Sequence, residues 1–322
     1  MLFRSKLTGL VWTALLALVY AAVRFLEGRG VLLPYHVQIL SLCCINIILV
    51  VSLNLINGFT GQFSIGHAGF FAIGAYLSAY LTVKLQVPFL AAVLCGALLA
   101  GVSGVAVGLP ALRLRGDYLA IATLGFGEII RVIILNTDAV GGARGFSGIP
   151  KYTTFGLAYL IAIITVVAIH NFVSSDFGRA CLAVREDEIA AESLGVNSTY
   201  FKVLAFALGA SFAGAAGALF SHYLQYMAPT ASQIGFLKSI DILIMLVLGG
   251  LGSLTGSVIA AIVLTILPEF LRGFAEYRMV IYPLLLIAVM IYRPAGLMAG
   301  RELSLSSLLA LGKGARTHGQ HS

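Results

Sequence analysis

Apolar stretches close to or above the roughly 20 residues needed to cross a bilayer recur along this chain from one end to the other. No other feature restricts the fold so strongly. Hydrocarbon offers no partner to a free backbone N–H or C=O, so most of the backbone must be helical. The chain is 60% hydrophobic and only 10% charged, with a mean hydropathy of +1.00. Soluble domains carry roughly 25% charged residues, so a water-soluble fold is excluded. The expected fold class is all-α: a polytopic transmembrane helical bundle forming one domain over residues 1–300, with a polar tail over 301–322.

Ten crossings are expected, at 7–23, 31–56, 64–83, 88–109, 118–135, 153–170, 201–224, 236–249, 255–270 and 278–292. Three of them, 64–83, 236–249 and 255–270, leave room for broken or re-entrant helices. Arg4 and Lys6 ahead of an apolar run would suit a signal peptide. No convincing small-residue cleavage site precedes Arg24, however, so 7–23 is expected to remain as the first span. An even number of spans puts both termini on one side. With that side cytoplasmic, Arg4, Lys6, Arg113, Arg115, Arg179, Arg185, Lys202, Arg293, Arg301, Lys313 and Arg316 lie inside, eleven of the twenty Lys and Arg. The bias follows the positive-inside pattern and places the polar interval 171–200 beside the basic tail. The expected location is the bacterial inner membrane.

The net charge of +7 comes with no basic stretch interleaved with aromatics, so a nucleic-acid partner is not expected. Cys43, Cys44, Cys95 and Cys181 offer no ligand spacing, and the first three lie in apolar runs, where cysteine packs as a small hydrophobe.

Small residues form ladders. Gly96, Ala100, Gly104 and Gly108 recur every four residues and share one helix face, as do Ala210, Gly214 and Ala218. Such faces let helix backbones approach closely where no hydrophobic effect drives helices together. Gly96, Gly104, Gly108 and Gly214 are the expected packing positions.

Polar atoms concentrate in NGFTGQFSIGHAGFFAIGAY (57–76), where Asn57, Thr60, Gln62, Ser64 and His67 interrupt hydrocarbon. Asn57-Gly58 and Gly61 would break a helix there, and transporters use broken helices to expose backbone polar groups to a cavity. His67 has two readings, an interhelical hydrogen bond or a place on the translocation path. Glu128, three residues before Arg131, is the other candidate path residue. Asp241, three residues after Lys238, is a second ionisable group in an apolar segment, where such groups face a bundle interior or snorkel from a helix end.

No phosphate-binding GxxxxGK[ST], nucleophile elbow or HExxH occurs, and the glycines at 125 and 127 lie inside an apolar span. Neither catalytic residues, a metal site nor a bound cofactor is expected. The longest polar interval holds REDEIAAESLG (185–195), which reads as a short amphipathic helix stopped by Gly195.

That segment resembles the cytoplasmic coupling loop of bacterial ABC importer permeases, whose loose signature is Glu-Ala-Ala, three residues, Gly. Ala190, Ala191 and Gly195 match, while Ile189 occupies the glutamate's place beside Glu188. A more specific likeness runs through LNLINGFTGQFSIGHAGFFAIGAY (53–76), LRLRGDYLAIATLGFGEIIR (112–131), GGARGFSGIP (141–150), GRACLAVREDEIAAESLGV (178–196), VLGGLGSLTGSVIAA (247–261) and YRPAGLMAG (292–300). In these motifs the chain resembles the LivM-type permeases of high-affinity branched-chain amino acid importers; urea permeases share much of the pattern.

The resemblance implies a permease subunit, not an enzyme, paired with a LivH-like second permease. Two cytoplasmic ATPase subunits would drive the pair, and a periplasmic amino-acid-binding protein would deliver leucine, isoleucine or valine. It also implies that Arg185, Asp187, Glu188, Ala190, Ala191, Glu192 and Gly195 belong to the ATPase-contacting loop. An ion-coupled secondary transporter is the rival class; it should carry coupling carboxylates deep in the fold, for which Glu128 is the one good candidate.

Overall fold

The structure, a computed structural model, describes residues 18–30, 33–111, 114, 116–270, 284, 287, 291–292 and 296–298. The expected tail 301–322 and most of the expected spans 7–23 and 278–292 lie outside the described residues. Residues 18–28 are helical, so the helix continues past residue 23, where the expected first span ends, with Arg24 paired to Glu27 at 2.9 Å one turn on.

Helix α1, Pro34–Asn54, begins on a proline whose missing N–H would be unpaired there anyway. It runs into a π-helical turn, Leu55–Phe59. After residues 61–66, which have no regular structure, come α2 (His67–Lys84), α3 (Phe89–Ala111), α4 (Asp117–Leu135) and α5 (Phe155–Ser174). Two short helices follow, α6 (Asp176–Glu186) and α7 (Glu188–Ser193). The rest is α8 (Ser198–Leu224), α9 (Phe236–Gly249) and α10 (Leu254–Phe270). Strands β1 (Phe146–Ser147) and β2 (Tyr226–Met227) form a small antiparallel ribbon.

Among the described residues, five helices are long and apolar enough to cross a membrane: Pro34–Phe59, Phe89–Ala111, Asp117–Leu135, Phe155–Ser174 and Ser198–Leu224. The chain is an all-α polytopic membrane protein on that ground. Helices α2, α9 and α10, with 18, 14 and 17 residues, are the segments where the sequence leaves room for breaks.

Long-range contacts define two ends of the bundle. At one, the ribbon pairs Phe146 with Met227, Thr153 Oγ1 donates to Leu219 O at 2.7 Å, and Thr82 Oγ1 lies 2.9 Å from His222 Nε2. At the other lie α6 and α7, the π-turn and the α9–α10 turn, joined by Arg185 and Asn54.

Packing is set by small residues. Helix α3 lies along α8, and α2 lies against both. A Cβ added to Gly74 would sit 2.0 Å from Gly214 O; one added to Gly214 would sit 2.5 Å from Ala100 Cβ; one added to Gly96 would sit 3.0 Å from Gly74 O. Three helices therefore meet at three glycines. A Cβ on Gly104 would lie 2.7 Å from Ala210 Cβ, and Gly108 is buried on the same face. The opposite face of α3 presents Leu90, Leu94, Leu98 and Val102, each 62–67% exposed. A contiguous apolar surface of this kind is untenable in water and natural in a bilayer. Helix α1, apolar on all sides and buried for most of its length, packs on α5, α8, α9 and α10.

Candidate functional site

Two breaks between apolar helices lie side by side. The first starts at the π-turn, where Gly58 leaves no room for a side chain: an added Cβ would be 1.8 Å from Asn54 Oδ1 and 2.5 Å from Gly252 N. The chain reverses at Gly61, with φ +68, a region that favours glycine. The irregular return is held by side chains in place of a helical ladder. Asn57 Nδ2 donates to Ser64 O at 3.1 Å and Asn57 Oδ1 accepts from Ser64 N at 3.2 Å, while Thr60 Oγ1 donates to Ile56 O at 2.6 Å.

The second interruption is the turn between α9 and α10, where Gly250 and Gly252 have φ of +104 and +79. Asn54 ties it to the first. Its Oδ1 accepts from Gly252 N at 2.9 Å, and its Nδ2 donates to Ser253 O and Ser257 Oγ, each at 2.9 Å. Asn54 lies within a quoted motif, but its partner is 198 residues away, a separation that periodicity cannot bridge.

Five of the candidate path residues, Asn57, Thr60, Gln62, Ser64 and His67, are thus gathered into one loop, and all are buried. His67 Nε2 lies 2.9 Å from Ser52 Oγ, which itself donates to Leu49 O, so Nε2 is assigned as the donor in a bond joining α2 to α1. Gln62 Oε1 and Nε2, Ser64 Oγ and His67 Nδ1 are buried with no hydrogen-bond partner among the described residues. Leaving a buried polar group unpaired costs about 1–3 kcal/mol, so these atoms favour a polar partner. Two contacts hold the start of α2 from the side: Thr123 Oγ1 accepts from Ile65 N, and Ser239 Oγ accepts from Ala68 N, both at 3.1 Å. Neither residue was singled out in the sequence, where both look like ordinary span hydroxyls.

Glu128 stands apart from that loop. Its Oε2 accepts from Arg131 Nε at 2.6 Å, and its Oε1 accepts from Phe236 N at 2.9 Å. It therefore caps the positive end of α9, which starts beside the middle of α4. Lys238 Nζ reaches Asn46 Oδ1 at 3.4 Å, and Asp241 is exposed on α9. Among the described residues no group of three or more His, Cys, Asp or Glu is placed to hold a metal.

The polar interval differs from the expected single helix over 185–195. Asp187, with φ −156, breaks it, because its Oδ1 accepts from Ile189 N at 2.9 Å and Ala190 N at 3.0 Å. Arg185 and Glu186 close α6, and α7 starts at Glu188. The far end matches the expected stop: Gly195 has φ +86, and Val196 N donates to Ala191 O at 3.0 Å. Ala191 is the buried seat of α7, whereas Ala190 is exposed, as are Ile189 at 69% and Leu194 at 86%. The carboxylates turn inward, Glu188 to Lys202 Nζ at 2.6 Å and Glu192 to the Ser198 hydroxyl. In α6, burial pushes the Cys181 thiol up to about 11.

Against known proteins, the family described as branched-chain amino acid transport system / permease component matches residues 35–290. The high-affinity branched-chain amino acid transport system permease protein LivM of Escherichia coli strain K12 is 38% identical, covering 93% of this chain and 78% of LivM. The LivH permease protein of the same system and strain is 31% identical over 51% of this chain and 53% of LivH. BraD of Pseudomonas aeruginosa is 26% identical over 80% of this chain and 92% of BraD. No solved structure matches. With the family match spanning the described bundle, both helix breaks and the α6–α7 segment, the chain belongs to the permease components of branched-chain amino acid transport systems.

Proposed function

We propose that the chain forms, with a LivH-like second permease, the membrane core of an ATP-driven importer for leucine, isoleucine and valine. Two cytoplasmic ATPase subunits drive it, and a periplasmic amino-acid-binding protein delivers the cargo. The 38% identity to LivM over 93% of the chain is the observation that carries the reading. Kinship with LivH over half the chain fits a pseudo-twofold pair of related permeases. The stranded polar groups of Gln62, Ser64 and His67 support placing the path beside the 57–67 loop, where an opened pathway would supply partners. Measuring radiolabelled leucine and urea uptake in a strain lacking the gene tests the cargo. Leucine uptake should fall with urea uptake intact; loss of urea uptake alone would reassign the substrate.

In this reading the permease domain covers 1–300, crosses the inner membrane ten times, and keeps both termini and residues 171–200 in the cytoplasm. Glu186 is a suitable reporter because its side chain is 71% exposed. In a Cys95→Ala background, Glu186→Cys should resist impermeant maleimide in intact cells and react in inverted vesicles. Cys181 contributes little background, since its buried thiol is protonated at neutral pH. Labelling from the periplasm would reverse the orientation.

Helix α7 docks on one ATPase through Ile189, Ala190 and Leu194, and its carboxylates hold the loop in shape. Full burial of a leucine is worth about 1.5–3 kcal/mol. Leu194→Asp should therefore leave the yield of folded permease unchanged and weaken ATPase retention at least about tenfold. Undiminished retention would show that α7 is only a connector.

A further inference from the structure

We propose that Arg185 is the positioning residue through which movement of α6 and α7 resets both helix breaks. The inference rests on the importer reading above. The sequence places Arg185 in the expected ATPase-contacting loop; in the structure its guanidinium bonds a carbonyl of the permease itself.

The geometry is specific. Arg185 Nη1 donates to Gly58 O at 2.8 Å, a carbonyl in the π-helical turn, where the regular backbone ladder is interrupted. The aliphatic stem lies over Gly61, whose added Cβ would fall 2.7 Å from Arg185 Cγ. The same Nη1 is 3.1 Å from the position a Cβ would take on Gly252, in the α9–α10 turn. Glu186 Oε1 accepts from Nε at 3.1 Å and Nη2 at 2.5 Å, which fixes the plane of the guanidinium. One side chain thus bonds Gly58 and lies beside Gly61 and Gly252, spanning both interruptions, and a carboxylate from its own helix orients it.

Mechanical continuity follows. Gly58 adjoins Asn57, which clamps Ser64, and Asn54 fixes Gly252 on the other side. A shift of α6 cannot leave Gly58 O in place without stretching a charge-assisted bond, so motion of the loop reaches the stranded polar groups at Gln62 and Ser64. Lysine cannot substitute, because a point charge on a flexible stem cannot hold Gly58 O and Glu186 in one plane. Glycine at 61 and 252 gives the guanidinium and its stem room to lie there.

The test uses the complete importer in liposomes with leucine as cargo, in variants Arg185→Gln and Arg185→Lys. The further reporter is Phe63→Cys, in the same loop and 39% exposed. With Arg185 intact, maleimide labelling of Phe63→Cys should differ between nucleotide-free and ATP-trapped complexes. In both Arg185 variants that difference should vanish and uptake per ATP hydrolysed should fall at least about tenfold, with subunit composition unchanged. Retention of the nucleotide-dependent labelling in either variant overturns the proposal, as does loss of assembly in both, which would make Arg185 a purely structural tie. Absence of ATP-dependent uptake with Arg185 intact would instead overturn the importer reading.

Discussion

Replacing Gly214 by leucine is expected to abolish recovery of the assembled permease. Gly214 sits where α2, α3 and α8 converge, and even a Cβ there would fall 2.5 Å from Ala100 Cβ and 2.8 Å from Gly96 O. Ordinary overpacking costs about 1–3 kcal/mol because side chains repack. Here one obstacle is a backbone carbonyl, and the opposing residues on α2 and α3, Gly74, Gly96 and Ala100, have no side chain that can rotate away. Relief requires separating α8 from α3, which removes the contacts that let these helices associate without a hydrophobic drive. Yield from detergent extracts should drop at least about tenfold. Leucine at Gly125, which has nothing within 4 Å of an added Cβ, is the matched control and should be tolerated. Equal yields from the two variants would contradict the packing account.

The second large effect is expected at Asn54. The side chain is fully buried and makes three hydrogen bonds to the α9–α10 turn and the start of α10. Asn54→Ala leaves Gly252 N without its acceptor at about 1–3 kcal/mol, removes one of three donors to Ser253 O, and opens a gap beside Gly58. A loss of about 3 kcal/mol corresponds to a fall of roughly 5–10 °C in the unfolding midpoint. Asn54→Asp is the sharper substitution. It preserves shape and the acceptor for Gly252 N, but turns a carboxylate oxygen toward Ser253 O, so that two acceptors repel where a donor had bridged them. Asn54→Asp should therefore destabilise at least as much as Asn54→Ala, measured by thermal scanning in detergent. A near-native midpoint for the aspartate variant would show that the two breaks are not joined here.

How much of this was legible varied with sequence distance. The small-residue faces of α3 and α8 were visible as four-residue ladders, because neighbours on a helix surface are set by local geometry. Their meeting with Gly74 was not, since that glycine lies in a segment whose most conspicuous residue is His67. The histidine belongs to a bond with Ser52, fifteen residues upstream. The break at 57–66 was legible from Asn57, Gly58 and Gly61, whereas its partnership with Gly252 depends on a tertiary contact that carries no periodic signal. In REDEIAAESLG the helical pattern spans Asp187 without interruption. The aspartate's preference for capping was present as a cue and overrode that pattern. Arg185 looked like a surface charge because its target is a backbone carbonyl, and a carbonyl leaves no mark in the sequence.

The most direct test of the account is leucine accumulation in liposomes that contain this chain, a LivH-like permease and the two ATPase subunits. Leucine-loaded binding protein is supplied on the side opposite the ATPases, and proton and sodium gradients are dissipated. The account predicts accumulation that requires hydrolysable ATP and stops when the ATPase subunits are omitted. Accumulation without ATP, driven by an imposed proton or sodium gradient, would contradict it and identify the chain as an ion-coupled transporter.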